Sequence, residues 1–475
     1  MQERYITAID LGSSKIALSV AKLSGRDIQV LYYDECPSDG IRYGSVFNPK
    51  KASIPVGEAI RKAEDELGIR IRQVVTGLPR YRVREETRPA KAMRPNPDAC
   101  ITRDEIEAIK NAAIDTYPIE DEAREVLYGA INQSFSTEDL IQACEEDVIG
   151  CTGDFVEGNF RLYIGDRRPI SNLDKLFEEL GVTLAGRYFV PQATAEAVLT
   201  EEQKENGVAL VEIGGGVTSL SIYSDNILRH FSSIPFGGRN VTADIKAESG
   251  FREKLCENIK LAFGNCQPDR LANMTEKVIQ VNNNETGSSR QLKVIDLAEI
   301  IGARMEEMMD AVLWQIEESG YADRIRTGIV LTGGGAGITG LVSMMRERSG
   351  YNVELGFPRR HFFSASGFPS MLQTGAVTSA GLLLRAASEP FLNCIESAPI
   401  VESSTAEGEE DTEDTLVLTA PAEEKPKEKP QKPQKEKVQK PQKAKSDRPN
   451  IIWGGLKKIT GSLFEGFGED FDNAK

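Results

Sequence analysis

The chain has 475 residues, 40% apolar and 27% charged, a composition typical of a globular protein long enough for two or more cores. Its formal net charge of −16 is the opposite of the basic surface that nucleic-acid binding requires, so we expect no nucleic-acid partner. Seven scattered cysteines without a C-x-x-C pair, and only two histidines, argue against a disulfide framework and a histidine-rich metal site.

The first predicted element is a β-hairpin. Residues 5–10 and 16–20 are short apolar runs separated by a Gly-Ser-Ser turn. Residues 208–213 and 220–223 repeat this arrangement around three consecutive glycines, and residues 329–331 form another buried-strand candidate that leads into a third glycine turn. Helix-like segments lie between these strands, which predicts an α/β fold.

A small α+β unit is predicted between residues 84 and 165. Residues 102–116 have helical spacing, and Thr102 and Glu105 stand three apart as in a capping box. Strand-like segments follow at 127–132 and 159–164. Two interpretations stay open. The unit is either an insertion without a function of its own or a surface that contacts partners.

A long helix is predicted at 297–317. Its stripe of Ile301, Met305, Met308 and Val312 favours a core position over a contact surface. Arg304 lies on the other face, where an arginine is usually only solvated.

The composition changes sharply after residue 396. Residues 402–424 contain nine acidic and no basic residues, and residues 425–448 contain ten basic and three acidic residues among Pro and Gln. No periodicity there can bury a core, so we expect a disordered, charge-segregated linker at 396–449.

The last predicted element is an amphipathic helix at 450–468, where apolar residues step by three or four along one face. A packed domain end is disfavoured after a long linker, and a partner-binding helix stays open. A Trp suited to the headgroup level and two nearby lysines favour a membrane-surface helix, and several linked copies in a polymer would bind the membrane more tightly through avidity.

No secretory signal and no apolar run of about 18 residues is present, so we expect a cytoplasmic protein held by this peripheral anchor. The residues expected at the membrane are Ile451, Ile452, Trp453, Leu456, Lys457, Lys458, Ile459, Leu463, Phe464 and Phe467.

The two glycine hairpins have a composition suited to phosphate groups. In each, a strand ends in a carboxylate, Asp10 or Glu212, followed by residues whose small side chains let backbone N–H groups approach phosphate oxygens. The carboxylates can orient Mg²⁺-bound or attacking water, and the bare third turn suits an adenosine. Each motif alone favours a plain β-turn over a binding site, but all three in this order favour a nucleotide site.

These motifs carry a specific resemblance. D-L-G-S-S-K at 10–15, V-E-I-G-G-G-V-T at 211–218 and L-T-G-G-G-A-G-I-T-G-L at 331–341 resemble the phosphate-1, phosphate-2 and adenosine motifs of the actin, sugar kinase and heat-shock chaperone superfamily. Within it, the stretches at 197–208, 228–238 and 256–260 are similar to FtsA, the bacterial cell-division actin homologue. The similarity covers residues 1 to about 390 and the last 25.

The resemblance implies an actin-like fold with two ribonuclease H-like lobes around a nucleotide cleft. Lobe 1 would comprise residues 1–83 and 166–206, interrupted at 84–165 by an inserted subdomain that in this family contacts the neighbouring protomer and later division proteins. Lobe 2, with the nucleoside-lining and partner-binding helices, would span 207–373, and a return helix to lobe 1 would span 374–395.

The resemblance also implies ATP and Mg²⁺ as ligands. Asp10 would hold Mg²⁺ through water, Gln192 would position the attacking water, and Glu212 would complete the catalytic set. Arg304 matches the position that engages the acidic C-terminal tail of FtsZ. The ATP-binding residues would be Gly12, Ser13, Ser14, Lys15, Gly214, Gly215, Gly216, Val217, Thr218, Gly238, Glu257, Lys260, Gly333, Gly334, Gly335 and Ala336.

One residue departs from the family pattern. The second phosphate motif normally opens with Asp, and the extra methylene of Glu212 moves the carboxylate by about 1.5 Å. A misplacement of ~1 Å can lower a rate by on the order of 10²-fold. We therefore expect ATP binding with slow or absent hydrolysis.

The partners implied by the resemblance are the FtsZ tail, further copies of the chain in a polymer, the lipid surface and later division proteins. The implied location is the cytoplasmic side of the bacterial inner membrane at the division septum. Two alternatives remain, an actin-like membrane adaptor of the pilus-assembly type and a metabolic sugar kinase on the same scaffold.

Overall fold

The computed structural model describes residues 3–25, 27–274, 276–282 and 289–396. The predicted linker beyond its first residue and the predicted helix at 450–468 lie outside the described residues. Within the described part, no helix is both long and apolar enough to cross a bilayer.

Strands and helices alternate along the described chain. The strands are β1 (Arg4–Leu11), β2 (Lys15–Ser24), β3 (Asp27–Pro37), β4 (Ile41–Arg42), β5 (Ser45–Val46), β6 (Gln73–Gly77), β7 (Arg84–Met93), β8 (Glu125–Ser136), β9 (Phe155–Asp166), β10 (Thr183–Tyr188), β11 (Val208–Ile213), β12 (Thr218–Ser224), β13 (Ile227–Ile234), β14 (Val278–Asn282), β15 (Ser289–Lys293), β16 (Gly328–Thr332), β17 (Val353–Leu355) and β18 (Phe363–Ser364). The helices are α1 (Pro49–Leu67), α2 (Arg103–Asp115), α3 (Glu145–Val148), α4 (Arg167–Leu180), α5 (Val190–Val198), α6 (Glu201–Asn206), α7 (Gly238–Ser249), α8 (Glu253–Phe263), α9 (Val294–Glu318), α10 (Leu341–Ser349) and α11 (Val377–Ala387).

Two sheets repeat one strand order. The first runs β18-β3-β2-β1-β6-β10 and the second runs β13-β12-β11-β16-β17. In each, three consecutive strands pair antiparallel, and the first of the three also pairs parallel with a later strand, β6 or β16. We call the first sheet with its helices lobe 1 and the second lobe 2. Strand β18 pairs with β3 in lobe 1, so the expected assignment of all residues 207–373 to lobe 2 is wrong for this strand. The chain therefore uses one supersecondary unit twice.

The central strands of lobe 2 are buried on both faces. Every residue of β11 and β16 is buried, as expected for parallel neighbours covered by helices on either side. Met305, Met308 and Met309 of α9 are fully buried in this core, which confirms the prediction that the methionine stripe faces inward.

Helices α5 and α11 pack against each other between the lobes. A Cβ placed on Gly381 of α11 would lie 2.3 Å from the carbonyl oxygen of Ala193 in α5, so the two helices approach this closely only because Gly381 has no side chain. One apolar cluster joins residues of both helices to Ala8 of lobe 1 and Leu210 of lobe 2. The lobes thus share a core at their junction.

A three-stranded sheet, β7-β9-β8, lies between the two parts of lobe 1 in the chain and packs on α2. The capping box predicted for α2 is confirmed, since Thr102 and Glu105 each accept from the other's backbone N–H. This inserted sheet contacts lobe 2. The Glu85 carboxylate accepts from the backbone N–H of Phe231 at 3.1 Å and lies 2.7 Å from His230 Nδ1, both on β13.

Candidate nucleotide-binding cleft

A cavity of about 530 Å³ lies between the two lobes. Its size is within the usual range of ligand pockets, about 300–1,000 Å³. Both glycine hairpins, the third glycine turn and the charged side of α8 line it. The residues predicted to bind ATP that line this cavity are Gly12, Ser13, Ser14, Lys15, Gly214, Gly215, Gly216, Val217, Gly238, Glu257, Lys260, Gly333, Gly334 and Gly335.

The two hairpin turns face each other across the cleft. The ladder between β1 and β2 ends at the pair Leu11 and Ile16, and the ladder between β11 and β12 ends at Ile213 and Thr218, so each turn projects from its own sheet. A Cβ on Gly215 would lie 2.1 Å from Ser14 Oγ. The turns therefore come this close only because the second one consists of glycine.

Two hydrogen bonds hold the first turn in place. Ser13 Oγ accepts from the backbone N–H of Gly44 at 2.8 Å, and the carbonyl of Ser13 accepts from Arg239 Nη1 of lobe 2 at 2.9 Å. The first turn is thus anchored in lobe 1 and also bonded to lobe 2.

The third glycine turn follows β16 and leaves bare backbone facing the cleft. Gly333 has a φ of 85°, and a Cβ on Gly335 would lie 2.3 Å from Ile213 Cγ2, which ties this turn to the end of β11. A Cβ on Gly334 would meet no heavy atom within 4 Å. Gly334 therefore exposes its backbone to the cavity that both glycine hairpins also line.

Two carboxylates and one arginine lie where the lobes meet. Arg80, in the segment after β6, forms a salt bridge with Glu212, and both side chains are largely buried. Glu212 also accepts from Thr194 Oγ1 at 3.2 Å and from Thr378 Oγ1 at 3.0 Å. Glu212 of lobe 2 is thus held by Arg80 of lobe 1 and by one threonine from each of the helices α5 and α11.

Asp10 has a different environment. Its carboxylate has no hydrogen bond or salt bridge to the residues that the structure describes. Burial raises the pKa of Asp10 to about 6, Glu212 adds to this rise, and Arg80 opposes it. Asp10 is therefore a carboxylate that a bound cation would stabilise in its ionised form.

Lys15 and Lys260 are already paired with protein groups. Lys15 Nζ lies 2.6 Å from Glu35 Oε1, and Tyr33 donates to the same oxygen at 2.5 Å. Lys260 Nζ donates to Gly238 O, Thr242 Oγ1 and Glu257 Oε2 at 2.7–2.9 Å, which uses its three protons. Lys260 therefore fixes the walls of the cleft.

The structure does not bring every predicted residue to the cleft. Thr218 donates to the carbonyl of Phe236 and is buried with Ala336 in lobe 2, so neither lines the cavity. Gln192 lines a separate cavity of about 660 Å³ between α5 and the inserted sheet. Thr194 bonds Glu212, and a residue two positions away on a helix points to the opposite side, so Gln192 does not line the cleft and its role as the water-positioning residue stays a prediction.

Sequence reasoning missed Arg80, Glu35 and Thr378, which line the same cavity. A signal existed for Arg80, because it follows a strand-like run, QVVTG, whose carboxyl end must lie beside that of β1 once the two strands pair in parallel.

Arg304 lies on the surface of lobe 2, outside the residues lining the cleft. Its guanidinium contacts both carboxylate oxygens of Asp244, at 2.6 and 3.0 Å, and lies 2.5 Å from Glu307. Asp244 holds the pKa of Arg304 above its usual value although burial lowers it. This arginine is therefore paired, not merely solvated.

Two lobes whose sheets share an order of five strands, each presenting a glycine hairpin to a shared cleft, define an actin-like fold. The solved structure of a PilM-PilN type IV pilus biogenesis complex has this fold, with a TM-score of 0.55, 16% identity, and coverage of 82% of this chain and 99% of that one.

The sequence comparisons then find similarity to one family. The family model described as "Cell division protein FtsA" matches residues 209–380. Cell division protein FtsA of Neisseria meningitidis serogroup B is 28% identical over 391 residues, covering 81% of this chain and 91% of that protein. The protein of the same name from Escherichia coli (strain K12) is 27% identical over 398 residues, covering 82% and 92%. The resemblance to FtsA is thereby confirmed.

Proposed function

We propose that the chain is an ATP-binding, actin-like cell-division protein that self-associates and tethers the FtsZ ring to the cytoplasmic membrane. The observation that carries this proposal is the pair of facing glycine hairpins in a chain whose relatives named for cell division match about four fifths of its length.

The cleft suits a nucleotide with its magnesium ion. The hairpins present backbone N–H groups to a polyphosphate, and the open surface of Gly334 accepts a flat base or ribose. Asp10 is a carboxylate without a hydrogen-bond or ion-pair partner in the described chain, which fits a residue that would hold a phosphate-bound cation through water. When bound, Mg²⁺ would neutralise phosphate charge there.

The surroundings of Glu212 support slow or absent hydrolysis. A general base must be free to accept a proton from water. Glu212 instead accepts hydrogen bonds from Thr194 and Thr378 and pairs with Arg80. The bound nucleotide therefore persists and stabilises one arrangement of the lobes.

Arg304 is the proposed contact for the acidic tail of FtsZ. Its bidentate contact with Asp244 demonstrates that carboxylates fit this guanidinium, and a tail carboxylate would take the place of Asp244. The membrane contact is proposed for residues 450–468 on the strength of their apolar stripe.

The nucleotide site is tested with two glycine variants of the full chain. Gly334 and Gly367 both have room for a side chain and neither has a positive φ, but only Gly334 lines the cleft. We expect Gly334→Val to abolish ATP binding in calorimetry while the protein melts like the native chain, and Gly367→Val to bind normally. ATP binding by Gly334→Val equal to that of the native chain would exclude this site.

The tether is tested by co-sedimentation with anionic liposomes. The full chain should pellet, should recruit an FtsZ tail peptide to the pellet, and should lose both properties when truncated before Asn450. Equal pelleting of the truncated chain would refute the membrane role, and a pellet without the peptide would favour the pilus-assembly alternative.

A further inference from the structure

Arg80 occupies a place that the nucleotide-site motifs do not assign. It belongs to lobe 1, its side chain is 12% exposed, and it lines the cleft together with Asp10 and Glu212. Burial lowers the pKa of Arg80, but Glu212 and Asp10 outweigh this effect and hold it above the usual value. The guanidinium is therefore charged.

Arg80 lies at the end of the cleft away from the nucleoside residues. Asp10, Arg80, Gly44 and Thr378 also line a second, smaller cavity of about 20 Å³, which has room for about one water molecule. The nucleoside-lining residues on α8 and the third glycine turn line only the larger cavity. A polyphosphate extending from a nucleoside held there thus points its terminal group toward Arg80.

The second hairpin is within reach of the same guanidinium. A Cβ on Gly214 would lie 3.7 Å from Arg80 Nη2, so Nη2 lies beside the second glycine hairpin. The other terminal nitrogen of the guanidinium, Nη1, pairs with Glu212. A guanidinium has five N–H donors in a planar fork, which matches two oxygens of one phosphate group.

Glu212 does not depend on Arg80 alone. It keeps the hydroxyl donors of Thr194 and Thr378 at 3.2 and 3.0 Å if the guanidinium turns away. The exchange of a carboxylate partner for a phosphate partner therefore leaves Glu212 buried but still hydrogen-bonded, which lowers the free-energy cost of the exchange.

We infer that Arg80 is the residue by which the cleft distinguishes a nucleoside triphosphate from a diphosphate. The guanidinium leaves Glu212 for the terminal phosphate of a triphosphate and stays on Glu212 when that phosphate is absent. This inference rests on the proposed nucleotide binding, and it adds the residue that reports which nucleotide is bound.

The test is the ratio of ATP to ADP affinity, measured by calorimetry on the full chain with saturating Mg²⁺. We expect Arg80→Gln to weaken ATP binding by about 10- to 100-fold, which is the effect of losing one charge-assisted hydrogen bond. ADP binding should weaken by less than about threefold. The control is Arg42→Gln, since Arg42 is exposed and does not line the cleft. It should leave both affinities unchanged.

A double variant guards against misfolding. Arg80→Gln leaves Glu212 without its cation, whereas Arg80→Gln with Glu212→Gln removes both charges and should also lose discrimination. If either variant binds ATP and ADP with the same affinity ratio as the native chain, whether or not both are weakened, the role of Arg80 is overturned. Nucleotide binding itself would remain in place. A native chain that binds neither nucleotide would instead refute the proposed function itself.

Discussion

The strongest quantitative prediction concerns Asp10. Its pKa of about 6 means that the folded protein holds the Asp10 proton more tightly than the unfolded chain, where the value is 3.8. This proton contributes stability that is fully present below pH 3.8 and is lost as the pH rises through 6. The difference corresponds to roughly 3 kcal/mol, so an ionised Asp10 destabilises the nucleotide-free protein by that amount at pH 8.

We therefore expect Asp10→Asn to raise the free energy of unfolding by roughly 3 kcal/mol at pH 8 and by about half as much at pH 5. Urea denaturation of the full chain at the two pH values measures this gain. Asp65→Asn is the matched control, since Asp65 is exposed on α1, and it should be neutral at both.

A destabilised Asp10→Asn at pH 8, or a gain of the same size at pH 5, would refute this reasoning. The same variant should bind ATP with little dependence on Mg²⁺, because the carboxylate that we propose as its protein contact is gone. Asp10 would thus be a residue whose charge weakens the empty protein and serves the loaded one.

Three further predictions follow from other parts of the structure. Met308→Ala should lower the free energy of unfolding by about 2–5 kcal/mol because Met308 is fully buried, whereas Met93→Ala, at a side chain 71% exposed, should change it by less than about 0.5 kcal/mol in the same urea titration. Asp244→Asn should tighten binding of an FtsZ tail peptide in fluorescence anisotropy and Arg304→Glu should weaken it, since Asp244 competes for the guanidinium; unchanged affinity in both would remove Arg304 from the partner site. Phosphate release by the native chain should be slow and should increase in Glu212→Asp; rapid turnover by the native chain would contradict the role given to Glu212.

The sequence predicted those features that depend on local patterns. A buried strand followed by glycines predicts a turn, and the family resemblance carried by this repeated pattern implied the two-lobed actin-like fold that the structure has. The methionine stripe of α9 and the Thr102 capping box are also encoded within a few consecutive residues.

The sequence could not predict features that depend on which way a side chain points in the assembled fold. Thr218 and Ala336 belong to the motifs, but they face the core of lobe 2. Gln192 is one helical half-turn away from the cleft, because Thr194 faces Glu212. Arg80 enters the site only through the parallel pairing of β6 with β1, which the strand-like run before Arg80 does not reveal by itself.

The inserted sheet has its chain connections in lobe 1, but its hydrogen bonds reach across to lobe 2. Glu85 holds two groups of β13, and Gln133 of β8 donates to Leu228 and accepts from Arg229 at the start of the same strand. These bonds crosslink the lobes at a second place, in addition to the contacts between the hairpin turns. Any rotation of one lobe relative to the other must therefore break these hydrogen bonds or rotate the inserted sheet together with lobe 2. In the second case, a ligand in the cleft that changes the angle between the lobes would also change the orientation of the sheet's outer surface.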